Sequence, residues 1–213
     1  MQSYLWTMPE NKRPAAPSAT NASGERVLDA RSLRGLAHPL RIQLLKSLRH
    51  DGPATASQLG ERLGESSGAT SYHLRQLATH GFVEDDPERG KGRERWWKAV
   101  HSGVSFGDDL HGNSDPEVRG AASLFRHEIA DIHTQEVSTW LATMGDWPES
   151  WSTSFDLSDF TLNLTPDQLA ELNDKLHAVV ETYRALAQDP ASAADAAQVR
   201  VHLHSFPRST PPH

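Results

Sequence analysis

The chain has 213 residues, 37% of them hydrophobic, and no cysteine. That length allows one or two domains, and the lack of cysteine excludes a disulfide framework, thiolate metal ligation and a cysteine nucleophile. No stretch approaches the ~20 apolar residues of a membrane span, and no basic region followed by an apolar run opens the sequence, so a cytoplasmic protein with no membrane partner is expected. The net charge of −7 is unevenly divided: residues 25–100 carry 13 basic and 10 acidic side chains, residues 101–213 carry 6 and 17. One part tolerates a polyanion and the other repels it, as in a nucleic-acid-binding half joined to a half with another task.

In chain order, residues 1–26 read as a disordered tail, because 9–24 are rich in Pro, Ala, Ser and Asn without hydrophobic periodicity. Val27, Leu28, Leu33 and Leu36 suit a short helix. Pro39 opens a second helix carrying Leu40, Ile42, Leu44, Leu45 and Leu48, which ends at the His50-Asp51-Gly52-Pro53 break. Thr55 caps a third helix, with Leu59 and Leu63 inward and Gly64 past its end. Ser66 or Ser67 caps a fourth, running to about His80. Phe82-Val83 and Arg95–Val100 then read as two strands around a polar, Gly-containing tip.

Residues 101–114 read as a linker. A long helix is expected over 116–144, and the aromatics Trp147, Trp151 and Phe155 follow in an irregular stretch. Phe160, Leu162 and Leu164 alternate with polar residues as a strand does. Thr165-Pro-Asp-Gln168 is a capping box, and Leu169, Leu172, Leu176, Val179, Tyr183 and Leu186 form a narrow seam on the helix behind it. Residues 199–206 read as a last strand, and 207–213 as a tail. The fold class is therefore mainly α with small β: a domain of four helices and a hairpin at 27–100 and a C-terminal α+β domain at 115–206 for dimerisation and, as a candidate, effector binding.

Residues 54–80 have the spacing of a helix-turn-helix. On its second helix Leu74 and Leu77 point inward with Thr70, His73 lies at the stripe's edge, and Ser71, Tyr72, Arg75 and Thr79 point outward. Guanidinium, hydroxyl and phenol groups make poor core and good groove chemistry: arginine binds guanine bidentately and hydroxyls take bases or phosphates. Ser67 and Gly68 leave backbone N–H groups for a phosphate. The hairpin tip, Arg89-Gly-Lys-Gly-Arg93 with Arg95 behind it, concentrates positive charge that gains from a polyanion. The plain alternative is an amphipathic helix and a solvated turn in a small bundle. The candidate DNA contacts are Ser67, Thr70, Ser71, Tyr72, His73 and Arg75 on the recognition helix 67–80, for the major groove, and Arg89, Lys91, Arg93 and Arg95 on the wing 84–98, for the backbone.

The runs LAHPLRIQLLKSL at 36–48, ASQLGERLG behind it and SYHLRQLATHGFVE at 71–84 resemble the ArsR-type winged helix-turn-helix transcriptional regulators, and Arg93-Glu-Arg95-Trp96 looks like that family's second wing strand. The resemblance covers about 30–100. It implies a dimeric, sequence-specific regulator of double-stranded DNA, usually a repressor, associated with the nucleoid when bound, and not an enzyme.

Metal sensing departs from the pattern. The cysteine sites are missing, and Asp131-x-His133 supplies half of the helical site, with Met144 and Trp147 where the other half would fall. No metal or other cofactor is expected. Trp140, Trp147, Trp151 and Phe155 are the candidate walls of a pocket for a small-molecule effector, with simple core packing as the alternative. A winged-helix protein-interaction module and a metal-responsive repressor are the rival readings.

Overall fold

The computed structural model describes residues 20–21, 24–89, 94–110, 112–186 and 196–208. The expected tails lie outside these residues at 1–19 and 209–213, as do Lys91 and Arg93 of the wing tip. The chain divides into two compact units, 1–135 and 136–213.

The first unit holds β1 (Arg26–Leu28), α1 (Ala30–Leu36), α2 (Pro39–His50), β2 (Ala54–Thr55), α3 (Ala56–Leu63), α4 (Ser67–Thr79), β3 (Val83–Asp85), β4 (Trp96–Ala99) and β5 (Val104–Phe106). Helix α5 (Pro116–Thr143) begins in it. Strands β2, β4 and β3 form an antiparallel sheet in that order, with Thr55 opposite Trp96 and Glu84 opposite Lys98.

Helix boundaries follow local chemistry. The Asp29 carboxylate accepts from the Ser32 N–H at 2.7 Å to start α1, and Pro39 supplies the first residue of α2. Thr55 and Gln58 cap each other at the start of α3. Gly64 ends that helix at φ 69°, a left-handed conformation that side chains with a Cβ resist.

The helices pack around Leu33, Leu36, Leu44, Leu45, Leu59, Leu74, Leu77 and Phe82, each at most 2% exposed. Each such side chain contributes roughly 1.5–3 kcal/mol on leaving water.

Four expectations for this unit are corrected. Val27 and Leu28 lie in a strand, because β1 pairs in parallel with β5, Leu28 opposite Phe106. The expected linker 101–114 contains β5 and a 3-10 turn at Asp108–Leu110, and the Arg49 guanidinium donates to the carbonyls of His101 at 3.1 Å and Gly103 at 3.0 Å. The core also extends beyond residue 100, since Leu110, Val118, Ala122 and Phe125 are buried. At the other end Arg26, expected in the tail, is buried with its guanidinium 4.1 Å from the Phe82 ring centre.

The second unit holds the end of α5, a 3-10 turn at Met144–Asp146, α6 (Glu149–Thr153) and α7 (Pro166–Leu186). The expected capping box forms: the Thr165 N–H donates to Gln168 Oε1 at 2.9 Å and the Gln168 N–H to Thr165 Oγ1 at 3.3 Å. The strands expected at 159–164 and 199–206 do not form. Both segments lack helix, and neither is paired with another strand among the described residues, so the C-terminal region is helical rather than α+β. Alternation alone selects a strand's face; it does not provide the neighbour that completes a ladder.

Candidate nucleic-acid interface

Helix α4 is held by its inner face and presents its outer one. Ser66 Oγ accepts from the Ala69 N–H at 3.2 Å, so the hydroxyl of Ser66, not that of Ser67, is the cap. Ser67 and Gly68 are exposed in the first turn. The turn before the helix is tight: the Glu65 N–H donates to the Gly60 carbonyl at 2.8 Å. A Cβ on Gly60 would lie 2.7 Å from the Glu65 carbonyl oxygen, so only glycine lets α3 approach this closely.

Of the candidate contacts on α4, Tyr72 (57% exposed) and Arg75 project outward, and Ser71 is half-buried. Among the described residues the Arg75 guanidinium has no ion-pair partner. Thr70 is corrected: it is fully buried and its hydroxyl donates to the Ser66 carbonyl at 2.9 Å, so it holds the helix start and does not face a ligand. His73 is half-buried, its ring 4.3 Å from that of His38 and edge-on to Tyr72 at 5.1 Å. Burial, then the neighbouring His38 and Arg41, pushes its pKa down, which keeps the imidazole neutral near pH 7. Its ring contacts both Tyr72, on the same helix, and His38, the residue before α2.

On the wing, the strand charges are already matched. Arg95 Nε sits 3.1 Å from Asp85 Oδ2, and its guanidinium lies 4.1 Å over the Trp97 ring. Arg89 reaches Asp86 at 3.6 Å, and Lys98 reaches Glu84 at 3.3 Å. Arg95 is thus anchored across the β3–β4 pair, with about half its side chain still exposed. Between wing and helix lies an open depression of about 260 Å³ lined by Thr55, Ser57, Ser71, Arg75, Glu94 and Arg95, among others. Ser57 and Glu94 were missed in the sequence. Ser57 follows the Thr55 cap, and that cap was the available signal for an exposed hydroxyl at a helix start.

A buried, apolar-backed helix presenting an unpaired arginine beside a three-stranded wing is the winged helix-turn-helix arrangement. Residues 36–86 match the family model of a helix-turn-helix domain. Over 74 residues the chain is 36% identical to the HTH-type transcriptional regulator NmtR of Mycobacterium tuberculosis, a match covering 35% of this chain and 58% of that protein. The first unit carries a helix-turn-helix domain. The chain spans 58% of the length of that curated relative.

Solved structures with similarity include the homodimeric winged helix-turn-helix DNA-binding domain of Mb0332 from Mycobacterium bovis, described as a possible ArsR-family regulator. It is 23% identical with a TM-score of 0.31, covering 50% of this chain and 82% of that one. Another is ZitR of Lactococcus lactis in complex with DNA, 12% identical with a TM-score of 0.26, covering 81% and 87%.

In the second unit the aromatic candidates do come together. Trp140 lies 5.9 Å from Trp147 and 5.8 Å from Phe155, and Trp147 lies 5.9 Å from Trp151, measured between ring centres. The Trp140 Nε1 atom is buried without a hydrogen-bond partner among the described residues. The rings pack on one another as a cluster.

Elsewhere, His127 Nδ1 lies 2.8 Å from the Ser123 carbonyl, and His202 Nε2 lies 2.8 Å from Glu136 Oε2. No group of three or more His, Asp or Glu side chains suited to a metal ion occurs among the described residues. No helix among them is long and apolar enough to cross a membrane.

Proposed function

We propose that the protein is a sequence-specific, DNA-binding transcriptional regulator that works as a homodimer in the cytoplasm, most simply as a repressor that occludes its operator. The observation that carries this reading is the outward Arg75, without an ion-pair partner among the described residues and flanked by Ser71 and Tyr72 on a helix whose other face is locked into the core. A guanidinium left unpaired beside paired neighbours is set to donate two hydrogen bonds to a guanine edge. Tyr72 offers an aromatic edge to a thymine methyl, and the first turn of α4 offers backbone N–H groups to a phosphate.

The wing divides its work. Arg89 and Arg95 set its shape through Asp86 and Asp85, and Lys91 and Arg93 supply the net positive charge for the backbone. Two copies place two reading helices on half-sites about 34 Å apart, or a multiple of that. The Trp140 cluster is the proposed contact for an organic effector, through an indole N–H without a hydrogen-bond partner among the described residues.

The test is a gel-shift titration of wild type and Arg75→Ala against fragments selected from the source genome. Binding by wild type that is lost or made indiscriminate in the variant supports the reading. Unchanged binding by the variant refutes it.

A further inference from the structure

The wing pairs most of its charges within itself. Glu84 meets Lys98 at 3.3 Å, Asp85 meets Arg95 at 3.1 Å and Asp86 meets Arg89 at 3.6 Å. Glu94 stands outside this pattern. It is exposed, it has no ion-pair partner among the described residues, and it lines the depression between wing and helix together with Ser57, Ser71 and Arg75. Arg95 lines the depression too, but it is already joined to Asp85 and stacked on Trp97. Two charges of opposite sign, neither ion-paired among the described residues, therefore face one opening: the guanidinium of Arg75 and the carboxylate of Glu94.

A carboxylate on a surface that meets a polyanion works against affinity, and its effect depends on what Arg75 meets. A phosphate that enters the depression to reach Arg75 brings a full negative charge toward Glu94. A guanine edge presents its O6 and N7 acceptors without a net charge, so it reaches the same guanidinium without that repulsion. The depression holds about 260 Å³, which makes it less than about 10 Å across. Charges that share it lie within about one Debye length of each other, and salt screens them only in part.

We infer that Glu94 is a specificity-determining residue: its carboxylate makes the phosphate contact of Arg75 unfavourable and leaves the guanine contact intact, so that random sequence is penalised and the operator is not. This rests on the DNA-binding reading above and adds what keeps an exposed arginine off the phosphates that surround its target. Discrimination is a difference of two affinities, and a repulsion confined to the wrong partner raises it without a new contact to the right one. At the separations that the depression allows, and at a dielectric between that of water and that of a protein surface, one such repulsion changes affinity about three- to tenfold.

The test uses the full chain and two duplexes, one selected by wild type from a randomised pool and one scrambled, with affinities read by fluorescence anisotropy. Glu94→Gln removes the charge and keeps the shape. It should tighten the scrambled duplex about three- to tenfold and change the selected duplex by less than about twofold, while Glu94→Asp keeps the ratio between the duplexes within about twofold of wild type. With Arg75→Ala already in place, adding Glu94→Gln should move the scrambled duplex by less than about twofold, because the contact that Glu94 opposes is gone. Equal tightening on both duplexes makes Glu94 a general repulsive charge and overturns the inference alone. No change on either duplex does the same, as does a gain on scrambled DNA that persists without Arg75. Weaker binding of the selected duplex by Glu94→Gln, or a lower melting temperature, assigns the carboxylate to the base contact or to the wing's own structure and also overturns it. A wild type that prefers no sequence overturns this inference together with the DNA-reading function.

Discussion

Replacing Arg75 with alanine separates the reading of sequence from the attraction to charge. The side chain is exposed and has no ion-pair partner among the described residues, so its removal costs folding no more than about 0.5 kcal/mol. Its loss from a bidentate guanine contact costs about 1–3 kcal/mol of binding, roughly 5- to 150-fold in Kd for the selected site. A scrambled duplex, where the same guanidinium meets only phosphate, should lose much less. Arg95→Ala is the internal control. Its charge is half-committed to Asp85 at 3.1 Å, so the slope of log affinity against log salt should change by less than the ~0.9 of one free phosphate contact. Fluorescence anisotropy with both duplexes at several salt concentrations measures all of this. If Arg75→Ala weakens selected and scrambled DNA by the same factor, α4 is not the reading element.

Other outcomes follow from the same geometry. Arg93→Ala should weaken binding to all sequences alike and lower the salt slope by about one, read from the same titrations. Gly60→Ala forces a methyl to 2.7 Å from the Glu65 carbonyl, and urea melts should show a loss of about 1–3 kcal/mol. Arg49→Met removes the donors to the His101 and Gly103 carbonyls and should cost about 1.5–3 kcal/mol by the same melts. His38, His73, His80 and His101 all have pKa values pushed below 6.5, burial being the largest cause in each. The unfolded chain therefore takes up protons more readily than the folded one. Stability is full above pH ~6.5 and falls as the pH drops through the lowered folded-state values; melting temperatures between pH 5 and 8 should show this decline, and His38→Gln/His73→Gln should flatten it.

What the sequence revealed was what its local chemistry determines. Thr55, Gly64 and Ser66 mark the ends of α3 and α4 by side-chain and backbone preferences that act within four residues. The outward set on α4 followed from helical period for Tyr72 and Arg75. Thr70 sat on the inward stripe of the same period, and its hydroxyl chemistry made it a false candidate.

Contacts between distant residues were not legible. Strand β1 exists because Arg26–Leu28 lies beside Val104–Phe106, far along the chain, and three residues carry no periodicity to announce it. The pairing that restrains Arg95 depends on the β3–β4 register, which brings Asp85 opposite Trp97. In the second unit the alternation of 160–164 and 199–203 was plain, but alternation does not supply the neighbouring strand that a ladder needs.

The central claim is that two copies of α4 read a defined DNA sequence. Selection of bound duplexes from a fully randomised pool by the full-length protein tests it most directly. The account predicts enrichment of an inverted repeat whose half-site centres lie about 10 base pairs, or a multiple, apart, with guanine at the position whose preference disappears in Arg75→Ala. Recovery of a pool with the composition of the input, at salt concentrations where wild type is folded and dimeric, would contradict it.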